Sequence, residues 1–357
     1  MQLLYGKFNI YLYFCTYYFY LKTGYFLIFI SETTIDKNMT KRISIILIGL
    51  ISLVGCKCNN EKEVEQFKAL PFPGVNIPTM LTDPQAQGKY YVEHYWDGFL
   101  DMAGKYPSDS ILVSGVKKDD IEQAFVNYIA PLDGLQPQVT DQALSNLWGQ
   151  LVVAVEKDTS SNILETIVGL AEKYLYDPNS PYRNEDYYFF FADGMSKYEK
   201  ISPELRGRYK FEAERCSLNK RTTPANDFKF ADKRGKIRNL YSIKADYTLL
   251  FFTNPGCSAC LDIITVLREE PHISELISSG TLAVVNIYID EDINEWRGYM
   301  SIYPENWYNG FDPYGAIRSE VLYDVRAIPS LYLLDSEKKV ILKDAPENVV
   351  FNILSAL

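Results

Sequence analysis

The chain has 357 residues, a length that suggests about two domains. Hydrophobic residues make up 47% of it, which is enough for packed cores. The formal net charge is −10, and so acidic a chain is a poor ligand for a phosphate backbone, which excludes nucleic acid as an expected partner.

The N-terminal part of the chain predicts an export signal that begins at Met39. Lys41 and Arg42 provide a positively charged start, and residues 43–53 form an apolar run too short to span a bilayer. We therefore expect Met39 to be the biological start, residues 1–38 to be an upstream extension, and residues 1–55 to be absent from the mature protein. The alternative is a real transmembrane helix within the apolar residues 1–30.

The Leu-Val-Gly-Cys sequence of residues 53–56 resembles a bacterial lipobox. This resemblance implies that Cys56 is the lipidated first residue of the mature protein, and more than one acyl chain would anchor it stably. Residues 56–70 would then form a polar tether. The expected location is the cell envelope, with the protein facing the periplasm or the cell surface. An uncleaved membrane helix, with Cys56 as a bystander, is the alternative.

Residues 71–221 predict an all-helical domain of about six helices, because apolar residues recur at helical spacing and proline-rich turns separate the runs. The aromatic run at 187–191 is interpreted as bundle core, with a ligand platform as the alternative. Cys216 is interpreted as a small buried residue. The predicted helices are 91–102, 121–129, 142–156, 162–176, 184–198 and 203–217.

Residues 222–357 contain a paired-cysteine motif at a strand-to-helix turn. Cys257 and Cys260 follow the apolar strand 247–253 and precede the helical pattern 261–270. A cysteine at a helix N-terminus meets free backbone N–H groups, and its pKa can fall to roughly 3.5–7.5. Cys257 is therefore the candidate nucleophile, and Cys260, one turn on, can resolve a mixed disulfide.

Three other interpretations of this cysteine pair remain open: a zinc site, a purely structural disulfide and an accidental pair. Zinc would need a second pair of ligands, and the other candidates have no such spacing, so we expect no metal and no cofactor. In the expected mature protein, the remaining candidates are Cys58, Cys216, His94 and His272.

Further elements follow the cysteine helix. We predict a buried strand at 283–289, a helix at 293–300 and an aromatic loop at 307–313, which either lines a substrate groove or packs on the domain. Pro329 then precedes two more strands, 331–334 and 340–343. Because proline is tolerated at the first residue of a strand, Pro329 marks a strand entry.

Residues 222–357, which begin at Thr223 and include the cysteine pair and Pro329, resemble the thioredoxin superfamily, and within it the TlpA-like thiol-disulfide oxidoreductases. The resemblance implies an α/β domain with a central mixed sheet flanked by helices. It also implies a cis peptide at Ile328–Pro329, with Ile328 pairing its backbone with the substrate. Residues 71–221 resemble an uncharacterised helical module of bacterial lipoproteins.

The sequence also departs from the thioredoxin pattern. Phe251 stands where thioredoxins place a buried carboxylate, and Gly256 stands where many carry tryptophan. The proton acceptor for Cys260 is therefore unassigned, with Asp290 and Glu291 as weak candidates that are more typical of solvated strand-end charges.

The predicted function is membrane-anchored disulfide exchange with exported proteins that carry thiols or disulfides. A membrane-side or periplasmic electron donor would restore the dithiol. The alternative is a non-catalytic binding or scaffold lipoprotein with an idle structural disulfide.

Overall fold

The structure, a computed structural model, describes residues 67–357, which form one compact unit. The predicted signal peptide, Cys56, Cys58 and most of the tether lie outside the described residues. The predicted domain boundaries at 70/71 and 221/222 stay predictions. No helix within residues 67–357 is both long enough and apolar enough to cross a lipid bilayer.

The described chain begins with a helical region. Asp83 caps its first helix by accepting a hydrogen bond from the Ala86 N–H at 2.7 Å. The elements are α1 (Pro84–His94), α2 (Asp97–Leu100), β1 (Leu112–Val113), β2 (Val116–Lys117), α3 (Lys118–Ile129), α4 (Pro137–Lys157), α5 (Ile163–Ala171) with a π-helical turn at Glu172–Tyr176, α6 (Glu185–Lys197) and α7 (Pro203–Cys216).

Two details of the helical region differ from the sequence-based expectation. The first predicted helix is interrupted at Tyr95 and Trp96, where both aromatic side chains are buried. A short hairpin, β1 and β2, also interrupts the helices, and its turn residues Ser114 and Gly115 both have positive φ angles. Such a turn suits a two-residue hairpin, but strands of two residues are too short to show a periodicity.

The aromatic run on α6 belongs to the core of the helical region, as the sequence predicts. Tyr187, Tyr188 and Phe191 are buried, while Phe189 and Phe190 are half-buried and pack against the same core. Five successive aromatic residues cover every side of a helix, so α6 must be surrounded by other helices to remove them from water.

A seven-stranded mixed sheet with flanking helices follows, which confirms the predicted fold class. Its strand order is β4-β3-β7-β6-β5-β8-β9; β5, β6 and β7 are parallel, and the other pairs are antiparallel. The elements are β3 (Lys229–Asp232), β4 (Ile237–Asn239), β5 (Tyr247–Phe252), α8 (Ser258–Glu269), α9 (Pro271–Ser279), β6 (Leu282–Tyr288), α10 (Ile293–Tyr299), β7 (Tyr308–Phe311), α11 (Ala316–Ser319), β8 (Ser330–Leu334), β9 (Val340–Leu342) and α12 (Glu347–Leu354).

The segment predicted as an aromatic loop is largely a strand of this sheet. β7 lies between β3 and β6, and the buried Phe311 packs on Trp296 with ring centroids 5.0 Å apart. Trp307 is buried as well. These aromatic side chains therefore pack on the domain, and the loop assignment is wrong for residues 308–311.

Candidate active site

The turn between β5 and α8 presents Cys257 at the helix N-terminus. β5 is buried from Thr248 to Phe252, so hydrophobic burial fixes the strand that leads into the turn. Gly256 has a φ of 76°, a left-handed conformation that glycine adopts without strain. Cys257 is the N-cap of α8, and its Sγ accepts a hydrogen bond from the Cys260 N–H at 3.1 Å.

Cys257 and Cys260 form a disulfide, with their Cα atoms 5.3 Å apart. The two cysteines differ in access: Cys257 is partly exposed, whereas Cys260 is only 2% exposed and belongs to the core between α8 and the sheet. An external thiol can therefore approach the sulfur of Cys257 far more easily than that of Cys260.

The Ile328–Pro329 peptide bond is cis, as the resemblance implies. Ser330, the next residue, pairs with Phe252, the last residue of β5. The loop that ends at Pro329 and the turn that leads to Cys257 therefore lie at the same end of neighbouring strands. Ile328 and Cys257 also pack against the same hydrophobic core.

Asp290, one of the two weak candidates for a proton acceptor, contacts the turn that leads to Cys257. Its carboxylate accepts a hydrogen bond from the Asn254 amide and forms an ion pair with Arg318 at 2.8 Å. The Asn254 carbonyl in turn accepts a weak hydrogen bond from the Cys257 N–H at 3.4 Å. Glu291 is exposed. The structure thus connects Asp290, rather than Glu291, to the dithiol turn, and the role of either acid stays a prediction.

A buried polar network that the sequence analysis missed lies where β5 ends. The Thr253 hydroxyl donates to the Asn286 side chain, whose amide donates to Asn309 on β7 at 3.0 Å. Because buried polar groups must find partners, this network fixes the ends of β5, β6 and β7 relative to one another. The sequence feature that could have predicted this network is the single asparagine, Asn286, within the otherwise apolar run 283–289.

Cys216 lies apart from this site as a free, fully buried cysteine at the end of α7. Burial raises the pKa of its thiol far above the usual value, so the thiolate that attacks disulfides does not form at neutral pH. The interpretation of Cys216 as a small buried residue agrees with this environment.

The mixed sheet, the cysteine pair at the start of α8 and the cis-proline before β8 define a thioredoxin-like protein. A thioredoxin-like protein from Bacteroides caccae, known from a crystal structure, is 34% identical, with a TM-score of 0.68 over 80% of this chain and 98% of its own. The chain belongs to the family described as Domain of unknown function (DUF5106), whose model matches residues 36–219. This match covers the helical region, in agreement with the predicted uncharacterised module.

Shorter solved structures match smaller shares of the chain. The C-terminal domain of an uncharacterized protein from Bacteroides fragilis is 41% identical, with a TM-score of 0.37 over 38% of this chain and 98% of its own. A domain of a possible thiol-disulfide isomerase from Cytophaga hutchinsonii is 22% identical, with a TM-score of 0.34 over 39% of this chain and 94% of its own. No curated protein matches the sequence.

Proposed function

We propose that the chain is a thiol-disulfide oxidoreductase in which Cys257 attacks and Cys260 resolves. In the reduced protein, the Cys257 thiolate attacks a substrate disulfide, forms a mixed disulfide and releases one substrate thiolate. The Cys260 thiol loses its proton and attacks Cys257 Sγ, which releases the second substrate thiolate and closes the Cys257–Cys260 disulfide. Two electrons pass to the substrate, and the reverse sequence oxidises a substrate dithiol.

The observation that carries this proposal is the unequal environment of two bonded sulfurs. Cys257 is partly exposed at the N-terminus of α8, where free N–H groups and the helix dipole stabilise a thiolate. Cys260 is buried within reach of it, as a resolving residue must be. A disulfide that only stabilised the fold would not require one cysteine to be accessible.

The substrate class that fits this arrangement is an extended peptide segment of an exported protein. The backbone of Ile328, at the entry to β8, is positioned at the same sheet end as Cys257 and would pair with such a segment.

We further propose that Cys56 carries the lipid anchor, which would place the protein in the cell envelope, and that a membrane-side or periplasmic donor reduces the dithiol again. An oxidising location suits a protein that works on disulfides.

The test is exchange between the reduced protein and an extended peptide that carries one cysteine as a mixed disulfide with glutathione. We expect the native protein to reduce the peptide, Cys257→Ser to be inert, and Cys260→Ser to stop as a covalent adduct on Cys257 that mass spectrometry detects. Cys216→Ser is the matched control and should react like the native protein.

The scaffold alternative predicts a different outcome in the same experiments. A structural disulfide typically has a reduction potential below about −300 mV, whereas catalytic pairs lie above it. A native couple below that limit in glutathione titration, or equal exchange rates for native protein and Cys257→Ser, would exclude the oxidoreductase.

A further inference from the structure

The loop that carries Ile328 and Pro329 is attached to the helical region through Arg326. The Nε and Nη2 atoms of Arg326 donate to one oxygen of Glu185, at 3.1 and 2.7 Å. The guanidinium also lies 3.9 Å from the ring centroid of Tyr176, and its Nη1 donates to the Tyr176 carbonyl. Arg326 is only two residues before Ile328 on the chain.

The contact between Arg326 and Glu185 is largely buried, and this burial restricts the positions that the loop can take. The side chain of Arg326 is 16% exposed and that of Glu185 is 2% exposed. The second Glu185 oxygen lies 2.9 Å from Lys343 Nζ, which itself donates to the Cys216 carbonyl. Removing one member of such a group would leave a buried charge without its partner, so the arrangement tolerates few alternative positions of the loop.

A second attachment holds the segment beside the start of β8. Arg183 donates to the backbone carbonyls of Asp344 and Ala345, both at 2.9 Å. The Ala345 N–H donates to the Leu331 carbonyl at 3.0 Å. The helical region therefore contacts both the loop before β8 and the segment that pairs with the first residues of β8. Asn219 also donates to the Leu322 carbonyl of this loop at 2.8 Å, but of these contacts that of Arg326 lies nearest to Ile328 on the chain.

We infer that Glu185 and Arg326 form a positioning pair, through which the helical region sets the place of the Ile328 backbone relative to Cys257. This inference rests on the proposed function, because it assigns the helical region a part in binding the extended peptide. The pair touches neither sulfur. Its loss should therefore impair reaction with peptide disulfides, which need the Ile328 backbone, and spare reaction with small disulfides, which need only Cys257.

The test compares Arg326→Lys with Arg183→Lys, which alters another largely buried arginine between the same two regions. A lysine keeps the positive charge but lacks the planar fork that donates twice to Glu185. We expect Arg326→Lys to lower kcat/KM for the glutathionylated peptide by about tenfold to a hundredfold, since small displacements of positioning groups have effects of that size. The rate with 5,5′-dithiobis(2-nitrobenzoate) should stay within about twofold for both variants, and Arg183→Lys should keep peptide turnover.

Amide hydrogen exchange gives a readout that does not depend on activity. Arg326→Lys should lose protection at the Ser330 amide, where β8 begins beside Phe252, while Arg183→Lys keeps it there. Glu185→Asp should cause the same loss of protection and of peptide turnover. In the Glu185→Asp/Arg326→Lys double variant, kcat/KM for the peptide should fall by less than the product of the two single-variant factors. Parallel losses toward peptide and small disulfide, or unchanged protection at Ser330, would overturn the inference. A native protein inert toward both disulfides would instead refute the proposed function, and the protection data would still decide whether Arg326 holds the loop.

Discussion

The two cysteines of the disulfide are adjacent in space but chemically unequal. Cys257 caps α8 and is partly exposed, whereas Cys260 faces the core. Only thiolates react with alkylating reagents, and only accessible ones react quickly. We expect iodoacetamide to label Cys257 of the reduced protein at least about tenfold faster than Cys260, as read by mass spectrometry across a pH series.

Cys216 supplies an internal control for this labelling. Because it is fully buried and its thiol is held protonated, it should remain unmodified until the protein unfolds. Equal labelling rates at Cys257 and Cys260 would contradict the assignment of Cys257 as the nucleophile.

Asp344 makes the stability of the protein depend on pH. Burial, followed by the nearby Glu185 charge, raises its pKa from 3.8 to about 7, and Arg183 opposes the shift only in part. Below pH 3.8 the group is protonated in both the folded and the unfolded states. Between pH 3.8 and about 7 the unfolded chain ionises while the folded protein keeps its proton, so the free energy of unfolding falls as the pH rises.

The Asp344→Asn variant tests the direction of this pH dependence of stability. Asparagine cannot ionise and tolerates the positive φ of 40° at this position. In urea unfolding, the variant should gain stability relative to the native protein as the pH rises across this window, by a total on the order of a few kcal/mol. A stability difference that stays flat, or that shrinks with rising pH, would show that Asp344 is ionised in the folded protein.

At the scale of elements, the sequence predicted the parts of the site that depend on local patterns. The buried run before Cys257 predicted β5, and the helical period after it predicted α8. β7 was missed because Asn309 and Gly310 are typical of turns. In the structure Asn309 bonds Asn286 across the sheet, and a Cβ at Gly310 would lie 2.5 Å from the Phe230 ring. Both residues are therefore explained by tertiary contacts, which a local pattern does not contain.

Gly194 shows how tightly α4 and α6 pack. A Cβ built at Gly194 would lie 2.2 Å from the Trp148 ring, a separation at which the indole or the helix must shift. We therefore expect Gly194→Ala to lower the free energy of unfolding by about 1–3 kcal/mol, the usual effect of overpacking. Thermal and urea unfolding followed by circular dichroism would measure it.

Gly207 on α7 provides the matched control, since it is an exposed helical glycine with no atom within 4 Å of a built Cβ. Gly207→Ala should raise stability by about 0.5–1 kcal/mol, because alanine is the better helix former. If both variants were stabilised, Trp148 would not be packed against Gly194 as described.

At the scale of the whole molecule, the attachment between the two regions could not be predicted from the sequence. Glu185 and Arg326 are 141 positions apart, and each has an ordinary local explanation. An acidic residue is common in the first turn of a helix, and an arginine is common in a polar loop. Only the packing of α6 against the segment before β8 brings them together, and that packing depends on side chains from both regions at once.

The lipid anchor concerns the whole molecule and can be tested independently of the dithiol. With a net charge of −10, the chain is repelled by anionic lipid surfaces, so its charge does not attach it to a membrane, and we assign the attachment to acyl chains at Cys56. We expect the full chain expressed in a bacterium to sediment with membranes, and Cys56→Ala to lose that attachment. In detergent, both proteins should reduce the glutathionylated peptide at the same rate, because Cys56 has no part in the exchange. Cys58→Ala is the matched control and should remain with the membranes. A native protein in the soluble fraction, or a Cys56→Ala variant that stays bound to membranes, would show that attachment does not depend on Cys56.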